Sequence, residues 1–563
     1  MKILSLHCDY LKFKPLKKAI KEPEALESKE EVEIKEPLGI FIAVEKHDES
    51  NKEKAVQELI KNILDLKEKV NAENIVPYPY AHLSSSLSSP DFALHIIQEA
   101  EKELKKKKIS VFRAPFGYYK EFELKCKGHP LAELSRNIEI EISKGEIYDY
   151  KNLLNQISKS KLDTSKLKEN DHRILGQKLD LFSFNEVAPG MVFWHNKGLV
   201  IYNELAEFWR ENHRKNNYLE IKTPQIMDKK LWQVSGHWEK YKDNIFLTKY
   251  ENRDFVVKPM SCPGGILVFK SNPKSYKELP LRVGELGVVH RQELSGVLAG
   301  LFRVIQFTQD DAHIYCTEKQ IESEVSHLLE LVDLFYKKFG FNYKVELSTR
   351  PEKRIGSDKI WDLAEKNLKH VLKKRKIKFK VNKGEGAFYG PKIDFHLADS
   401  LGRTWQCGTI QLDFSMPERF EIEYTDENNK KKTPVMIHNA IYGSLERFIG
   451  ILLEHTSGNL PVWLSPIQAR VISFTDRNIK SSEKLLEKLK LAGIRADSDF
   501  ESTTVSEKVR NAELQKIPYI LVIGDNEEKS GEVAVRKRGE KKIINVNSEK
   551  LMEEIKKKFE NKN

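Results

Sequence analysis

Residues 287–317 read GVVHRQELSGVLAGLFRVIQFTQDDAHIYCT and decide how the middle of the chain folds. Apolar, β-favouring runs at both ends enclose a loop that contains glycine, the pattern of a strand, a loop and a second strand. Two arginines (Arg291 and Arg303), an acid (Glu293), an aromatic ring (Phe307) and a histidine (His313) fall within this span. The span therefore predicts two strands of an antiparallel sheet that carry an unusual concentration of charged and aromatic side chains.

The strand pattern continues on both sides of this span. Aromatic residues and Gly/Pro-bounded runs predict further strands at 255–257, 393–396, 409–414 and 420–424. Residues 181–465 are accordingly predicted to form one large antiparallel-sheet domain with helical insertions. The segment 141–180 is rich in Lys, Glu and Asp with few apolar anchors, and it predicts a linker.

The two ends of the chain predict smaller α/β domains. Residues 1–140 alternate short β-rich runs with polar helical stretches such as 51–70. Residues 466–563 again alternate strand and helix patterns. The predicted fold class is multidomain α/β and α+β, with an antiparallel core and an α/β domain at each end.

Composition sets the broad class. Hydrophobic residues make up 40% and charged residues 32% of the 563, and no uncharged apolar run approaches the ~18 residues of a membrane span. Five scattered cysteines favour reduced thiols, so we expect a cytoplasmic protein with no membrane association. The net charge of +11 suits a polyanionic partner. The basic runs at 105–108 and 373–376 are by themselves more typical of solvated helix faces.

Further motifs extend the pattern of 287–317. A long predicted helix runs into a Pro-containing strand at 202–224, and HNAIYGSLERFIGIL occupies 438–452. Other segments are DHRILGQKLDLF (171–182), APGMVFWHN (188–196), KPMSCPGG (258–265), LSTRPEKRIGS (347–357), GEGAFYGPKIDF (384–395) and WQCGTIQLDFSMPERF (405–420). Residues 202–224, 287–317 and 438–452 resemble motifs 1, 2 and 3 of class II aminoacyl-tRNA synthetases. Together the segments resemble the threonyl-tRNA synthetase family.

The resemblance implies an ATP-dependent ligase that joins L-threonine to tRNA(Thr) through threonyl-adenylate. A fixed guanidinium stabilises the charge that develops on the α-phosphate, and the family pattern gives this role to Arg291. It gives Arg303 to the γ-phosphate, Arg447 to the triphosphate and the adenine face, Glu293 to the adenine amino group and Phe307 to stacking on adenine. Mg²⁺ is expected to bind with ATP.

A zinc site is implied at Cys262, His313 and His438. Their spacing alone does not predict one, because it lacks the short intervals of typical zinc motifs, and a lone Cys or His is more often a packing or hydrogen-bonding residue. In the resembling family each position holds a zinc ligand, and threonine's amino and hydroxyl groups complete the coordination. Around it the resemblance implies that four further residues hold the amino group and line the threonine pocket: Gln309, Asp311, Tyr389 and Gln411.

Such a pocket should reject valine, which has no hydroxyl, but should accept some serine, which lacks only a methyl group. Serine acceptance calls for a correction site. The segments MKILSLHCDYLKF (1–13), FIAVEKHDE (41–49), YPYAHLSSSL (78–87), APFGYYK (114–120) and CKGHPLAELSR (126–136) resemble the archaeal editing domain of this family, related to D-aminoacyl-tRNA deacylases. The resemblance implies hydrolysis of seryl-tRNA(Thr), with candidate pocket residues Lys120, His82, Tyr119, Glu133, Val44 and Ala81.

The C-terminal domain resembles the anticodon-binding domain of several class II synthetases through LAGIRADSDF (491–500), IPYILVIGDNE (517–527) and GEVAVRKRG (531–539). Candidate RNA contacts are Arg495, Arg536 and Arg538. Two alternatives stay open: a tRNA-binding deacylase or regulatory paralogue without aminoacylation activity, and a class II synthetase for proline or serine. Motif 1 usually builds a dimer interface in this class, so we expect a homodimer.

Overall fold

The computed structural model describes residues 1–26, 28–84, 86–138, 154, 167–398 and 402–563. The chain divides into two compact units, Met1–Tyr150 and Lys151–Asn563. Of the predicted linker, residues 141–153 and 155–166 lie outside the described residues. Its last part belongs to the second unit, since His172–Lys178 forms a helix and Leu175 and Leu179 pack in that unit's main core.

The first unit is a sheet with two long helices. The strands run in the order β2-β1-β3-β4-β5, and β6 and β7 also pair with β1. Their bounds are β1 Lys2–Lys18, β2 Val32–Lys35, β3 Pro37–Ala43, β4 Asn74–Pro79, β5 Ser110–Val111, β6 Tyr118–Cys126 and β7 Glu133–Asn137; the helices are α1 Lys52–Val70 and α2 Pro90–Lys106. Strands β3, β4 and β5 are parallel, with α1 and α2 as the crossovers.

The sequence explains both crossover helices. Asn51 caps α1 by accepting a hydrogen bond from the Lys54 N–H, and Pro90 opens α2, where its missing N–H costs nothing. Leu59 and Ile63 recur at helical spacing on α1 and are fully buried against the sheet. The α/β prediction for this region is confirmed.

The second unit is built on an eight-stranded sheet in the order β10-β15-β16-β23-β20-β19-β17-β18. It is antiparallel except for the β10–β15 and β17–β18 pairs at its two ends. The strand bounds are β10 Tyr218–Glu220, β15 Leu281–His290, β16 Gln306–Cys316, β17 Tyr343–Ser348, β18 Phe379–Asn382, β19 Lys392–Ala398, β20 Thr404–Asp413 and β23 Val435–Ala440. The stretch 287–317 thus forms the β15–β16 pair with the intervening loop, as its pattern predicts.

Shorter strands surround this sheet: β8 Phe182–Ser183, β9 Phe193–Trp194, β11 Ile226–Asp228, β12 Leu247–Tyr250, β13 Arg253–Val257, β14 Lys274–Ser275, β21 Tyr424–Thr425 and β22 Lys431–Lys432. The helices are α3 His172–Lys178, α4 Asn196–Lys215, α5 Lys229–Val234, α6 His237–Tyr241, α7 Cys262–Lys270, α8 Ile321–Lys338, α9 Asp358–Lys374, α10 Ser415–Arg419 and α11 Leu445–Thr456. The predicted strand at 420–424 is wrong for most of its length. Phe420 ends α10, where its N–H bonds the Met416 carbonyl, and only Tyr424 reaches a strand.

The C-terminal part of this unit is a five-stranded sheet in the order β25-β24-β26-β27-β28. Its elements are β24 Ala469–Ser473, α12 Ile479–Leu491, β25 Ala496–Asp499, α13 Val505–Leu514, β26 Tyr519–Ile523, α14 Asp525–Ser530, β27 Glu532–Lys537, β28 Ile543–Asn547 and α15 Ser548–Glu560. The predicted α/β pattern is confirmed. Within the described ranges, no helix has both the length and the apolar composition that crossing a membrane requires.

Candidate active site

One face of strand β16 lies toward a cavity, and the other supports the turn that leads into α11. Side chains alternate along a strand, so Gln309, Asp311 and His313 share one face. Gln309 and Asp311 line a cavity of about 520 Å³, and His313 lies buried beside it. On the other face the Asp310 carboxylate accepts hydrogen bonds of 2.8, 2.9 and 2.9 Å from the backbone N–H groups of residues 441, 442 and 443. That face holds the turn that leads into α11.

Three potential metal ligands converge on the cavity wall. Cys262 begins α7, and His313 on β16 is the direct cross-strand partner of His438 on β23. The two imidazole rings are 4.9 Å apart at 81°, and a ligand atom from each of the three side chains lies within 4.8 Å of the others. All three residues are buried. The structure therefore brings together every ligand that the resemblance implies.

The surroundings of these side chains fit a metal. The Nε2 atom of His438 bonds Asp413 Oδ2 at 2.9 Å, which leaves Nδ1 for coordination. The Nε2 atom of His313 is buried without a hydrogen-bond partner among the described residues. Burial lowers the pKa of His313 well below its usual value, so the imidazole stays in the neutral form that binds metals. One thiolate and two imidazoles match the three protein ligands of a zinc site that keeps an open face for substrate.

The predicted substrate residues line the same cavity: Arg291, Glu293, Arg303, Phe307, Gln309, Asp311, Tyr389, Gln411 and Arg447, together with Cys262 and His438. Near the three potential metal ligands, the Tyr389 hydroxyl donates a 2.6 Å hydrogen bond to Gln411 Oε1. Burial raises the pKa of Asp311 to about 6. This end of the cavity offers a carboxylate and fixed amide and hydroxyl groups within a small polar pocket.

The other end of the cavity is positively charged. The Arg447 guanidinium donates to the carbonyls of Phe302 (3.0 Å) and Gln406 (2.9 Å), and Arg291 donates to the Pro259 carbonyl at 3.1 Å. Burial and the neighbouring guanidinium groups of Arg291 and Arg303 lower the pKa of Arg447. Cations held this close to one another favour an anionic ligand between them. The Arg291 guanidinium also lies 5.2 Å from the centre of the Phe307 ring.

A second cavity, of about 480 Å³, lies in the first unit. Its lining includes Lys120, His82, Tyr119, Val44 and Ala81 among the predicted pocket residues. The Lys120 ammonium donates to the carbonyls of Pro115 (2.9 Å) and Tyr118 (3.2 Å). Burial lowers its pKa to about 8.

Glu133 does not line this cavity. On β1, Lys120 is paired with Pro15 whereas Glu133 is paired with Leu6. Nine residues of extended strand separate these positions by roughly 30 Å, since each residue of a strand advances the chain by about 3.3 Å. Glu133 therefore does not lie in the pocket that Lys120 of the same chain lines, contrary to the prediction.

Three family models match separate parts of the chain. Residues 1–138 match the family model of the archaea-specific editing domain of threonyl-tRNA synthetase, residues 246–456 that of the class II core domain (G, H, P, S and T), and residues 468–558 that of the anticodon binding domain. A solved structure of the RNA binding domain of threonyl-tRNA synthetase from Cryptosporidium parvum is 41% identical, with a TM-score of 0.68, over 69% of this chain and 98% of that one. The chain belongs to the threonyl-tRNA synthetase family.

Other relatives support the family assignment. ThrRS-1 of Aeropyrum pernix is 30% identical, with a TM-score of 0.63, over 69% of this chain and 96% of that chain. The threonine--tRNA ligase of Carboxydothermus hydrogenoformans is 55% identical over 66% of this chain and 59% of its own length. That of Desulforamulus reducens is 53% identical over 70% and 62%, respectively. The chain thus spans about three-fifths of the length of these two synthetases.

Two of the three arginines predicted to contact the anticodon have structural partners. Arg495 forms a 2.6 Å ion pair with Glu204 on α4 and donates to the Ser465 and Trp463 carbonyls. Arg538 donates to the carbonyls of Lys516 and Leu460. These contacts join the C-terminal sheet to the synthetase core. Among the described residues, the one side-chain contact found for Arg536 is a 3.5 Å surface ion pair with Glu513, so Arg536 is the better candidate for RNA.

Two residues near the site, Lys392 and His237, were not predicted from the sequence. Lys392 lines the cavity and forms a 2.9 Å ion pair with Asp394. His237 is fully buried, with Nε2 4.0 Å from the Cys262 sulfur. Lys392 lies within the motif at 384–395 and could have been singled out there. His237 lies outside the motifs quoted above, and nothing in its local pattern distinguishes it from a packing histidine.

Proposed function

We propose that this protein joins L-threonine to tRNA(Thr) in two steps, through threonyl-adenylate, and that its first unit hydrolyses seryl-tRNA(Thr). The observation that carries the proposal is one cavity with zinc-type ligands at one end and three arginines at the other. Such a cavity suits an amino acid at the end with the potential metal ligands and a nucleoside triphosphate at the arginine end. The separate lysine-lined cavity in the first unit supports the editing activity.

The arginine end suits ATP. Arg291 neutralises charge as the threonine carboxylate attacks the α-phosphate, and its guanidinium is held by the Pro259 carbonyl before the reaction begins. Arg303 and Arg447 bind the remaining phosphates, and Mg²⁺ accompanies ATP as in other phosphate sites. Phe307 stacks on adenine, and Glu293 accepts a hydrogen bond from its amino group.

The ligand end suits threonine. Cys262, His313 and His438 would hold a zinc ion, which would act as a Lewis acid toward the amino and hydroxyl groups of threonine. Asp311 accepts a hydrogen bond from the substrate's amino group, and Gln309 and the Tyr389–Gln411 pair line the pocket. The Asp413 carboxylate fixes the orientation of the His438 ring.

In the first unit, Lys120 is held over the cavity by two backbone carbonyls. We propose that its ammonium polarises the seryl ester or positions the attacking water, so proximity and charge drive hydrolysis. His82 and Tyr119 complete the polar wall of this pocket.

We also propose a homodimer located in the cytoplasm. Leu219 on β10 and Ile226 on β11 flank the proline of motif 1 and are 58% and 54% exposed. Apolar side chains left outside the core in this way suit a subunit interface. A ligase of this family acts on the tRNA pool that serves translation, which supports the location.

The deciding experiment is aminoacylation of tRNA(Thr) with threonine and with serine by wild type, Lys120→Ala and Lys125→Ala. Lys125 lies on the same strand but is exposed and pairs with Asp9, so it serves as the matched control. We expect all three proteins to charge threonine and only Lys120→Ala to accumulate seryl-tRNA. No threonine charging would leave the deacylase or regulatory alternative, and seryl-tRNA with wild type would refute editing.

A further inference from the structure

A buried histidine outside the cavity connects α11 to the loop of motif 2. His172, the first residue of α3, is 1% exposed, and its Nδ1 lies 2.8 Å from Glu454 Oε1. Its Nε2 lies 2.9 Å from the backbone N–H of Leu301. A carboxylate accepts and an N–H donates, so Nδ1 carries the proton and the lone pair of Nε2 accepts.

This group does not suit a metal, although Asp171, His172 and Glu454 lie close together. Both ring nitrogens of His172 are engaged. Asp171 is paired with Arg173 through two 2.9 Å hydrogen bonds, and Glu454 is paired with Arg403. Because their donors and acceptors are already paired, Asp171, His172 and Glu454 form a structural contact between the start of α3 and α11, which we call the joint.

The joint lies directly behind the ATP end of the cavity. Leu301 precedes Phe302, which lines the cavity and whose carbonyl accepts the hydrogen bond from Arg447. Arg303 follows immediately. Helix α11 carries both Arg447 and, two turns later, Glu454. The loop is therefore fastened to α11 twice, once through Arg447 and once through His172.

The fit between the loop and the histidine is close. Gly300 has a φ of +54°, and a Cβ at this position would lie 2.2 Å from His172 Nε2. The His172 ring also packs on Phe302, with ring centres 4.2 Å apart. His172 therefore contacts the loop at both Gly300 and Phe302, and these two contacts restrict the position of the loop.

We propose that His172 is a positioning residue for the ATP site, acting through the Leu301 N–H on the loop that carries Phe302 and Arg303. This inference rests on the proposed ligase activity. Loss of the hydrogen bond between His172 and Leu301 should therefore raise KM for ATP but leave KM for threonine unchanged, because the threonine pocket lies at the other end of the cavity.

Two variants separate the bonds of the ring. In His172→Asn the amide nitrogen replaces Nδ1 and keeps Glu454, but the acceptor for Leu301 is lost. In His172→Gln the amide oxygen reaches the position of Nε2 and keeps Leu301. His455→Asn is the matched control, because His455 lies beside Glu454 on the same helix, exposed, and packs on Phe341.

The measurement is threonine-dependent ATP–pyrophosphate exchange with full-length protein, together with thermal unfolding. We expect His172→Asn to raise KM for ATP roughly tenfold, the effect of leaving a buried N–H without its acceptor. KM for threonine should stay within about twofold, and His172→Gln and His455→Asn should resemble wild type. An unchanged KM for ATP in His172→Asn, or a loss of activity in both His172 variants that follows only their lower Tm, would overturn the inference.

A cycle with Gly300→Ala covers the case in which His172→Asn does not fold. Gly300→Ala alone should raise KM for ATP. Its effect should be smaller when combined with His172→Gln if the two residues act through one contact, because the flexible Gln side chain can yield to the new Cβ whereas the imidazole ring cannot. Independent effects in this cycle would argue against the joint. Absence of exchange in wild type would instead refute the proposed function, so the two failures are distinguishable.

Discussion

The His438 imidazole and the Asp413 carboxylate form a buried 2.9 Å hydrogen bond between Nε2 and Oδ2. The other oxygen of Asp413 accepts the backbone N–H groups of Ser415 and Met416, which fixes the carboxylate at the start of α10. The orientation of a proposed metal ligand is thus set by a helix whose residues do not line the cavity.

Asp413→Asn should weaken zinc binding about 10–100-fold, as is usual when the partner of a ligating histidine is lost. The amide oxygen of Asn can still cap α10, so the fold should persist. Competition with a chromophoric chelator measures the affinity. Asp243→Asn, at an exposed position, should bind zinc as wild type does. Equal affinities for the two variants would contradict a role for Asp413 at the metal.

Amino-acid selectivity should depend on the metal. We expect kcat/KM for exchange with serine to be ~10–200-fold below that with threonine, and with valine ~10⁴–10⁵-fold below, because valine leaves the polar site unmatched. Removal of zinc with a chelator should abolish threonine-dependent exchange, and added zinc should restore it. Exchange that survives complete metal removal would show that Cys262, His313 and His438 have another role.

Editing should lose activity in alkaline solution. Burial lowers the pKa of Lys120 from 10.5 to about 8, so the ammonium form is lost as the pH rises through about 8. After subtraction of uncatalysed ester hydrolysis, seryl-tRNA deacylation should fall across that range. An unperturbed lysine would remain charged there. Lys125→Ala should show the wild-type profile, and a flat profile up to pH 10 in wild type would exclude the ammonium form as the active one.

The arginines of the C-terminal part should separate into two classes. Arg495→Ala should lower the free energy of unfolding by about 1.5–3 kcal/mol, because it removes charge-assisted hydrogen bonds to Glu204 and two carbonyls. Arg536→Ala should change stability by less than about 1 kcal/mol and should raise KM for tRNA(Thr). Urea unfolding and aminoacylation kinetics measure the two effects. A tRNA defect without loss of stability in Arg495→Ala would reverse the assignment.

The strand-and-loop pattern of 287–317 correctly predicted the β15–β16 pair, since alternation and glycine placement act locally. The segment 420–424 misled because aromatic and β-branched residues also pack around a helix end. The proposed metal ligands were accessible only through resemblance. Strand pairing places His313 beside His438, and Cys262 comes from the start of α7, so no sequence spacing links the three.

Partnerships between distant residues were beyond sequence reasoning. Glu454 and His172 are 282 residues apart, and no local pattern links them. Arg495 is a second example. Its sequence context predicts an RNA contact, but in the structure it forms an ion pair with Glu204 on α4 of the core, 291 residues earlier in the chain.

The two-faced character of β16 restricts how this site can change over time. Because cavity-facing and core-facing side chains alternate, inserting or deleting one residue between positions 306 and 309 would turn Asp310 toward the cavity and His313 toward the hydrophobic interior. Both the pocket and the support for α11 would be lost in a single event. Variation in this strand is therefore confined to exchanges of one side chain for another, and its length should stay fixed however far the surrounding loops diverge.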